Sequence, residues 1–141
     1  MSSAYLLEQK NNTYILFIEN KKHLSLSIGR GLFCNFPPGI YIYIGSARKN
    51  IEKRILRHFS KNKKLFWHID YFLIHTHIIN VFIGSLKEKE LVSSLINNIN
   101  LEIPCKGFGS SDSPHPAHLF IIKNKKDVET FLNSLGFKKY K

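Results

Sequence analysis

Between Gly39 and Ala47 the chain reads Gly-Ile-Tyr-Ile-Tyr-Ile-Gly-Ser-Ala, an alternation of isoleucine and tyrosine closed by small residues. Successive side chains of a strand point to opposite faces, so Ile40, Ile42 and Ile44 share one face. Tyr41 and Tyr43 share the other, ~7 Å apart along the strand. Glycine carries no Cβ, so Gly45-Ser46-Ala47 is a place where the backbone can approach a substrate closely. Asn50 then has the chemistry of an N-cap, and predicts a helix running to about Phe59. A strand passing through small residues into a basic helix is the unit around which the rest of the chain has to be arranged.

The remaining segments complete a small α/β fold. Thr13 to Glu19 is β-branched and aromatic, and reads as a buried strand. His23 to Ile28 predicts a short strand with Leu24, Leu26 and Ile28 on one face. Gly29, Gly31, Pro37, Pro38 and Gly39 mark a turn-rich connection. His68 to His75 reads as a short helix, Ile78 to Ile83 as a strand, and Lys87 to about Asn98 as a helix with Leu91, Leu95 and Ile99 inward. Pro104 to Pro116 is a loop, His118 to Ile122 a strand, and Asp127 caps a last helix stopped by Gly136. The expected architecture is a mainly antiparallel central sheet with flanking helices, one domain over residues 1–141.

The formal net charge is +11 and the sequence pI about 9.8. Such a surplus favours a polyanionic partner, and nucleic acid is the commonest. Abundant Lys, Asn and Ile also fit an AT-rich coding bias, which weakens the charge argument. Cys34 and Cys105 stand alone without CxxC spacing, which points to a reducing compartment and no disulfide framework. No apolar run approaches the roughly 20 residues needed to span a bilayer, and the N-terminus lacks the layout of a signal peptide. The expectation is a soluble, cytoplasmic protein without membrane contact.

The basic helix carries two patterns. Ile51, Ile55 and Phe59, with Leu56 beside them, form a core stripe, while Arg54, Arg57, His58 and Lys61 recur at i, i+3, i+4 and i+7. The second pattern predicts a phosphate-facing stripe, because a guanidinium offers a planar fork of donors that fits a phosphate. Arg48 and Lys49, in the turn before the helix, extend it.

Tyr43-Ile44-Gly45 followed by Arg54 and His58 resembles the second half of the GIY-YIG nuclease signature. The wider pattern is similar to a largely archaeal branch of that superfamily, domain of unknown function 123. It reads here as Tyr14; Tyr43 to Ala47; Arg54 to His58; Trp67-His68-Ile69-Asp70-Tyr71; Gly107 to Asp112; and His118-Leu119. The resemblance covers nearly the whole chain. It implies a GIY-YIG-like fold and a nuclease in which Tyr14, Tyr43, Arg54 and His58 are catalytic and Gly45, Ser46, His68, Asp112 and His118 support them. Tyr14 on the first strand holds the place of the first-motif tyrosine, and the literal Gly39-Ile40-Tyr41 is a coincidence of spelling. A phenol has an ordinary pKa of about 10, so a tyrosine acting as base would have to be shifted down by the metal or by cations, with Arg54 placed to help.

The resemblance also implies one divalent cation, Mg2+ or Mn2+, held by a glutamate after the third strand. Glu88 and Glu90 are the candidates there, and Asp70 is the alternative carboxylate. Both glutamates also suit a helix N-terminus. Where related chains carry cysteines in the late loop, this one reads Ser111-Asp112-Ser113-Pro114-His115-Pro116-Ala117-His118. Cys105, His115 and His118 are a weak zinc set by spacing. His75 and His77 read as surface residues. Trp67 is expected to pack against the sheet, with base stacking as the alternative. The functional expectation is a metal-dependent endonuclease acting on DNA, in repair and alongside a repair-protein partner. The competing expectation is a nucleic-acid-binding module that kept the fold and lost catalysis.

Overall fold

The computed structural model describes residues 11–29, 31–109, 115 and 117–141. In chain order the elements are β1 (Thr13–Asn20), β2 (Leu24–Ser27), β3 (Phe33–Phe36), β4 (Gly39–Ser46), α1 (Ile51–Phe59), α2 (His68–Leu73), β5 (His77–Gly84), α3 (Glu88–Asn98), β6 (Leu101–Glu102), β7 (Leu119–Ile122), α4 (Lys125–Ser134) and β8 (Lys138–Lys139). Six strands form one sheet in the order β6-β7-β4-β1-β5-β8. All its pairings are antiparallel. Strands β2 and β3 form a separate two-stranded ribbon.

β1 is apolar along nearly its whole length because it lies near the middle of the sheet with both faces covered. Tyr14, Leu16 and Ile18 point to the side of α1, α2 and the β2–β3 ribbon, where they meet Ile51, Ile55, Ile69, Phe72 and Phe36. Ile15 and Phe17 point the other way, onto Leu91, Val92 and Leu95 of α3 and Val128 and Leu132 of α4. The fold is therefore a small α/β arrangement with helices on both faces of a mainly antiparallel sheet. Each fully buried Leu, Ile or Phe contributes about 1.5–3 kcal/mol, so the strands that carry the candidate site are anchored from both sides.

The sequence expectations hold for the type and order of the main elements and err at particular places. β3 arises inside the segment read as turns: its residues alternate, with Cys34 and Phe36 inward and Phe33 and Asn35 outward. The short strands β6 and β8 were also not expected. Asn124, not Asp127, caps α4, its side chain accepting the Asp127 backbone N–H at 3.1 Å. In α1 the buried stripe is Ile51, Ile55 and His58, whereas Leu56 and Phe59 are 48% and 39% exposed. Both i, i+4, i+7 and i, i+4, i+8 are helical stripes, and a polar partner waiting inside turns the helix toward the first.

Cys34 and Cys105 form a disulfide, their Cα atoms 5.6 Å apart across a sequence separation of 71. That spacing between Cα atoms is ordinary for a disulfide. The expectation of two lone thiols fails because linear spacing says nothing about cysteines that the tertiary fold brings together. The argument for a reducing compartment, which rested on unpaired thiols, loses its support. Among the described residues, no helix is long and apolar enough to cross a membrane.

Candidate functional site

A pocket of about 540 Å3 opens on the α1 side of the sheet, and Tyr14, Tyr43, Gly45, Arg54, Glu88 and His118 are among its lining residues. The β1–β4 register explains how two strands deliver the tyrosines: Tyr14 pairs with Gly45 and Leu16 with Tyr43. Tyr14 and Tyr43 are therefore diagonal neighbours on one face. A Cβ built on Gly45 would lie 2.5 Å from the Tyr14 hydroxyl. The missing side chain of Gly45 is the space that the Tyr14 ring fills.

Tyr41 shares that face but not the pocket. It is fully buried, stacked near Phe72 and Phe36, and its hydroxyl donates to the Pro37 carbonyl. The tyrosine of the literal Gly-Ile-Tyr is thus a core residue.

The Tyr14 hydroxyl and His58 Nε2 are 2.7 Å apart, in a buried hydrogen bond between β1 and α1. Burial holds His58 down at about pKa 3, helped by the nearby Lys63 ammonium. Its ring is neutral at physiological pH. Burial likewise raises the Tyr14 phenol well above its ordinary value, and the Arg54 guanidinium only partly opposes this. Tyr43 is raised for the same first reason, with Tyr14 adding to it. Arg54 by itself therefore does not bring either phenol down. Desolvation of the phenolate outweighs the neighbouring cation, and both tyrosines stay protonated.

The basic stripe of α1 is dispersed rather than presented. Arg54 enters the pocket, donating to the Ser46 carbonyl at 3.0 Å with its guanidinium 4.5 Å from the Trp67 ring centroid. Arg57, also 4.5 Å from the Trp67 centroid, donates to both oxygens of Asp70 at 2.8 and 3.0 Å and to the Lys64 carbonyl. Lys61 donates to the carbonyls of Leu73 and Thr76 at the end of α2. The predicted phosphate-facing row fails for Arg57, His58 and Lys61. The physical reason is that α2 and the segments flanking it supply a carboxylate to Arg57 and carbonyls to Lys61, while His58 turns inward to the Tyr14 hydroxyl. Arg48 and Lys49 are exposed beyond the end of β4.

The three candidate carboxylates are told apart by their surroundings. Asp70 is buried. Its carboxylate accepts the backbone N–H groups of Phe66 and Trp67, both at 2.9 Å, in addition to Arg57. Burial alone would raise its pKa, but the Arg57 hydrogen bond and the two amides together hold it below the ordinary value. Asp70 therefore ties α1 to α2 and does not line the pocket. Glu90 is exposed and lies outside the pocket too. Glu88, at the start of α3, reaches the pocket with its side chain 27% exposed. Its Oε2 accepts from Ser46 Oγ at 3.4 Å, and its Oε1 lies 3.4 Å from His118 Nδ1.

A partly exposed carboxylate suits a hard divalent cation, and Mg2+ is commonly held by one or two carboxylates together with substrate phosphates. Glu88 fits that minimal donor set. No group of three His, Cys, Asp or Glu arranged for a metal occurs among the described residues. Cys105 is consumed by the disulfide, so the zinc set of Cys105, His115 and His118 is not assembled. His115 Nε2 lies 2.9 Å from Ser93 Oγ.

His68 Nδ1 accepts the Gly109 backbone N–H at 2.9 Å, which puts the proton of the neutral ring on Nε2; burial lowers the pKa of this histidine. Gly109 has φ +68°, and a Cβ there would lie 3.3 Å from the Tyr43 ring. Asp112 lies outside the described residues. The exposed His75 and His77 are not among the pocket's lining residues. Lys89 and Phe66 line the pocket and were not singled out as site residues from sequence, and Gly109 was named only within Gly107 to Asp112. Only the glycine carried a signal, through its place in Gly107-Phe108-Gly109.

Residues 13–139 match the family model described as Domain of unknown function DUF123. No curated protein and no solved structure matches the chain.

Proposed function

The chain belongs to the family described as Domain of unknown function DUF123, and from that premise we propose that it is a metal-dependent endonuclease of GIY-YIG type that hydrolyses DNA phosphodiester bonds in repair. The observation that carries this reading is the convergence of Tyr14, Tyr43, Arg54 and Glu88 on one pocket from β1, β4, α1 and α3.

Phosphodiester hydrolysis needs positive charge at the developing phosphorane and an oriented water. Arg54 supplies the charge from a fixed position, since the Ser46 carbonyl and the Trp67 ring hold its guanidinium before any substrate arrives. Donors already in place spend little free energy on reorganisation at the transition state. Tyr14, protonated and hydrogen-bonded to neutral His58, orients an attacking water or a phosphate oxygen. Deep transfer of a proton to His58 is disfavoured, because the imidazolium would be desolvated beside Lys63, Arg57 and Arg54. Tyr43 offers a second phenol across the same face. Glu88 would hold a divalent cation, Mg2+ or Mn2+, which would supply the Lewis acidity that makes water nucleophilic at neutral pH.

One observation favours a second reading, a nucleic-acid-binding module without catalysis. Glu88 already has Ser46 and His118 beside its carboxylate, at a helix N-terminus where a carboxylate is stabilising without any metal.

The test is incubation of the purified protein with nicked, flapped and branched DNA in Mg2+ or Mn2+, beside an Arg54→Ala control. Cleavage that the control lacks supports the nuclease. Salt-sensitive binding with no cleavage in either metal selects the binding module. A pull-down with a repair glycosylase as bait checks the partner.

A further inference from the structure

We propose that Phe66 is a stacking platform for an unpaired nucleobase, so that the pocket takes a nucleic-acid strand with a splayed or single-stranded nucleotide beside the bound phosphate. This deepens the reading above and rests on it. Phe66 is 75% exposed, yet it lines the same pocket as Arg54. Its position is held from below. The backbone N–H groups of Phe66 and Trp67 both donate to the buried Asp70 carboxylate, which Arg57 grips with two hydrogen bonds. A half-buried ion pair, with its carboxylate fully buried, thus fixes the backbone that carries an exposed ring.

Trp67, the aromatic that sequence alone would choose, is not open in the same way. The guanidinium carbons of Arg54 and Arg57 each lie 4.5 Å from its centroid. Phe66 meets it edge-on, with centroids 5.6 Å apart and planes at 84°. That contact uses Phe66 in a T-shaped pair and leaves most of its surface to solvent.

An occupant must place an anion at Arg54 and a flat apolar surface on Phe66. A nucleotide with its base out of the stack does both. A base inside a continuous duplex has its faces covered by its neighbours and cannot. One ring on the rim of a polar pocket is also not the broad apolar face that a membrane or a folded protein partner would need.

The test uses the full chain and three probes: a labelled single-stranded deoxythymidylate oligomer, a labelled abasic oligomer of equal length, and phosphatidylglycerol vesicles. The two single strands carry the same phosphates, so their difference isolates the bases. The wild type is expected to bind the thymidylate strand about tenfold tighter than the abasic one, the size of one base–aromatic stack. Phe66→Ala should erase that difference and leave abasic binding unchanged, and Phe66→Trp should keep it. Equal affinity of the wild type for both single strands overturns the proposal. So does an equal effect of Phe66→Ala on both, or a stronger response to phosphatidylglycerol vesicles than to any strand. The underlying reading fails separately, if Arg54→Ala leaves all strand binding intact. Thermal melting of Phe66→Ala, expected to match the wild type for so exposed a ring, guards against a folding artefact.

Discussion

Tyr14 and Gly45 face each other across the β1–β4 pairing, and the Tyr14 phenol occupies the space that a side chain on Gly45 would need. Two elements separated in sequence are thereby keyed together at the floor of the pocket. Gly45→Ala pushes a methyl group into a ring locked by its hydrogen bond to His58. The expected cost is about 1–3 kcal/mol of stability, as for overpacking elsewhere. Denaturant unfolding followed by the fluorescence of Trp67, the only tryptophan, measures it. In a Tyr14→Ala background the same substitution should cost close to nothing. Additive losses in this double-mutant cycle would mean that the ring is not what Gly45 accommodates.

Arg54 and Arg57 stand three residues apart on one helix and have different work. Arg57→Ala strips a buried carboxylate of its main partner and is expected to cost about 3 kcal/mol or somewhat more. Arg54→Ala loses one hydrogen bond to a carbonyl and a ring contact, about 1 kcal/mol. Strand binding and cleavage should show the reverse order, with Arg54→Ala the more damaging once each variant is assayed well below its melting temperature.

Stability should fall with acid through His58. Its folded pKa, about 3, lies below the ordinary 6.5. Between those values the unfolded chain binds a proton that the folded chain refuses. Stability is therefore lost as pH drops below about 6.5, with a slope near 1.4 kcal/mol per pH unit. His68, also lowered by burial, acts in the same sense, and Asp70 adds its own loss as pH falls below its ordinary 3.8. The readout is accordingly a difference: His58→Gln should flatten the slope by about one proton. An unchanged slope would contradict a neutral buried His58.

Cys34 and Cys105 close a long loop, and their bond should show in solution. Protein unfolded without reductant is expected to give no thiol, and two after reduction. Restricting an unfolded loop of this length is worth about 4 kcal/mol in the chain-entropy picture. Reduction, or Cys34→Ser, should lower the unfolding free energy by a comparable amount. Two reactive thiols in native, unreduced protein would rule the pairing out.

Of the two glutamates at the start of α3, only Glu88 reaches the pocket. Glu88→Gln should abolish metal-dependent cleavage with little change in melting temperature, while Glu90→Gln should leave cleavage near the wild-type rate. Loss in both, or in neither, would remove Glu88 as the metal carboxylate.

Much of the frame was legible in the chain itself. The apolar run of β1, the Ile–Tyr alternation of β4 and the cap at Asn50 are local patterns, and each became the element it predicted. Tyr14, Tyr43 and Arg54 share the pocket as expected. The basic stripe of α1 was misread because periodicity places residues on a face without saying what covers it. Here the covering elements bring carbonyls and a carboxylate. How strongly burial opposes Arg54 at the two phenols was not legible, because a nearby cation is visible in sequence and burial is not.

The sequence alone determined the type and order of the main strands and helices, and the resemblance added that a tyrosine from each of two strands would meet a basic helix. Short-range stereochemistry and hydrophobic periodicity suffice for the elements, and the tyrosine pairing rested on the resemblance. Only the tertiary structure decided that Gly45 makes room for Tyr14, that Asp70 belongs to Arg57 and two amides, that Glu88 and not Glu90 enters the pocket, and that Cys34 joins Cys105. Those are contacts between residues distant in the chain. Their energies depend on burial and geometry that exist only once the sheet has its helices on both faces.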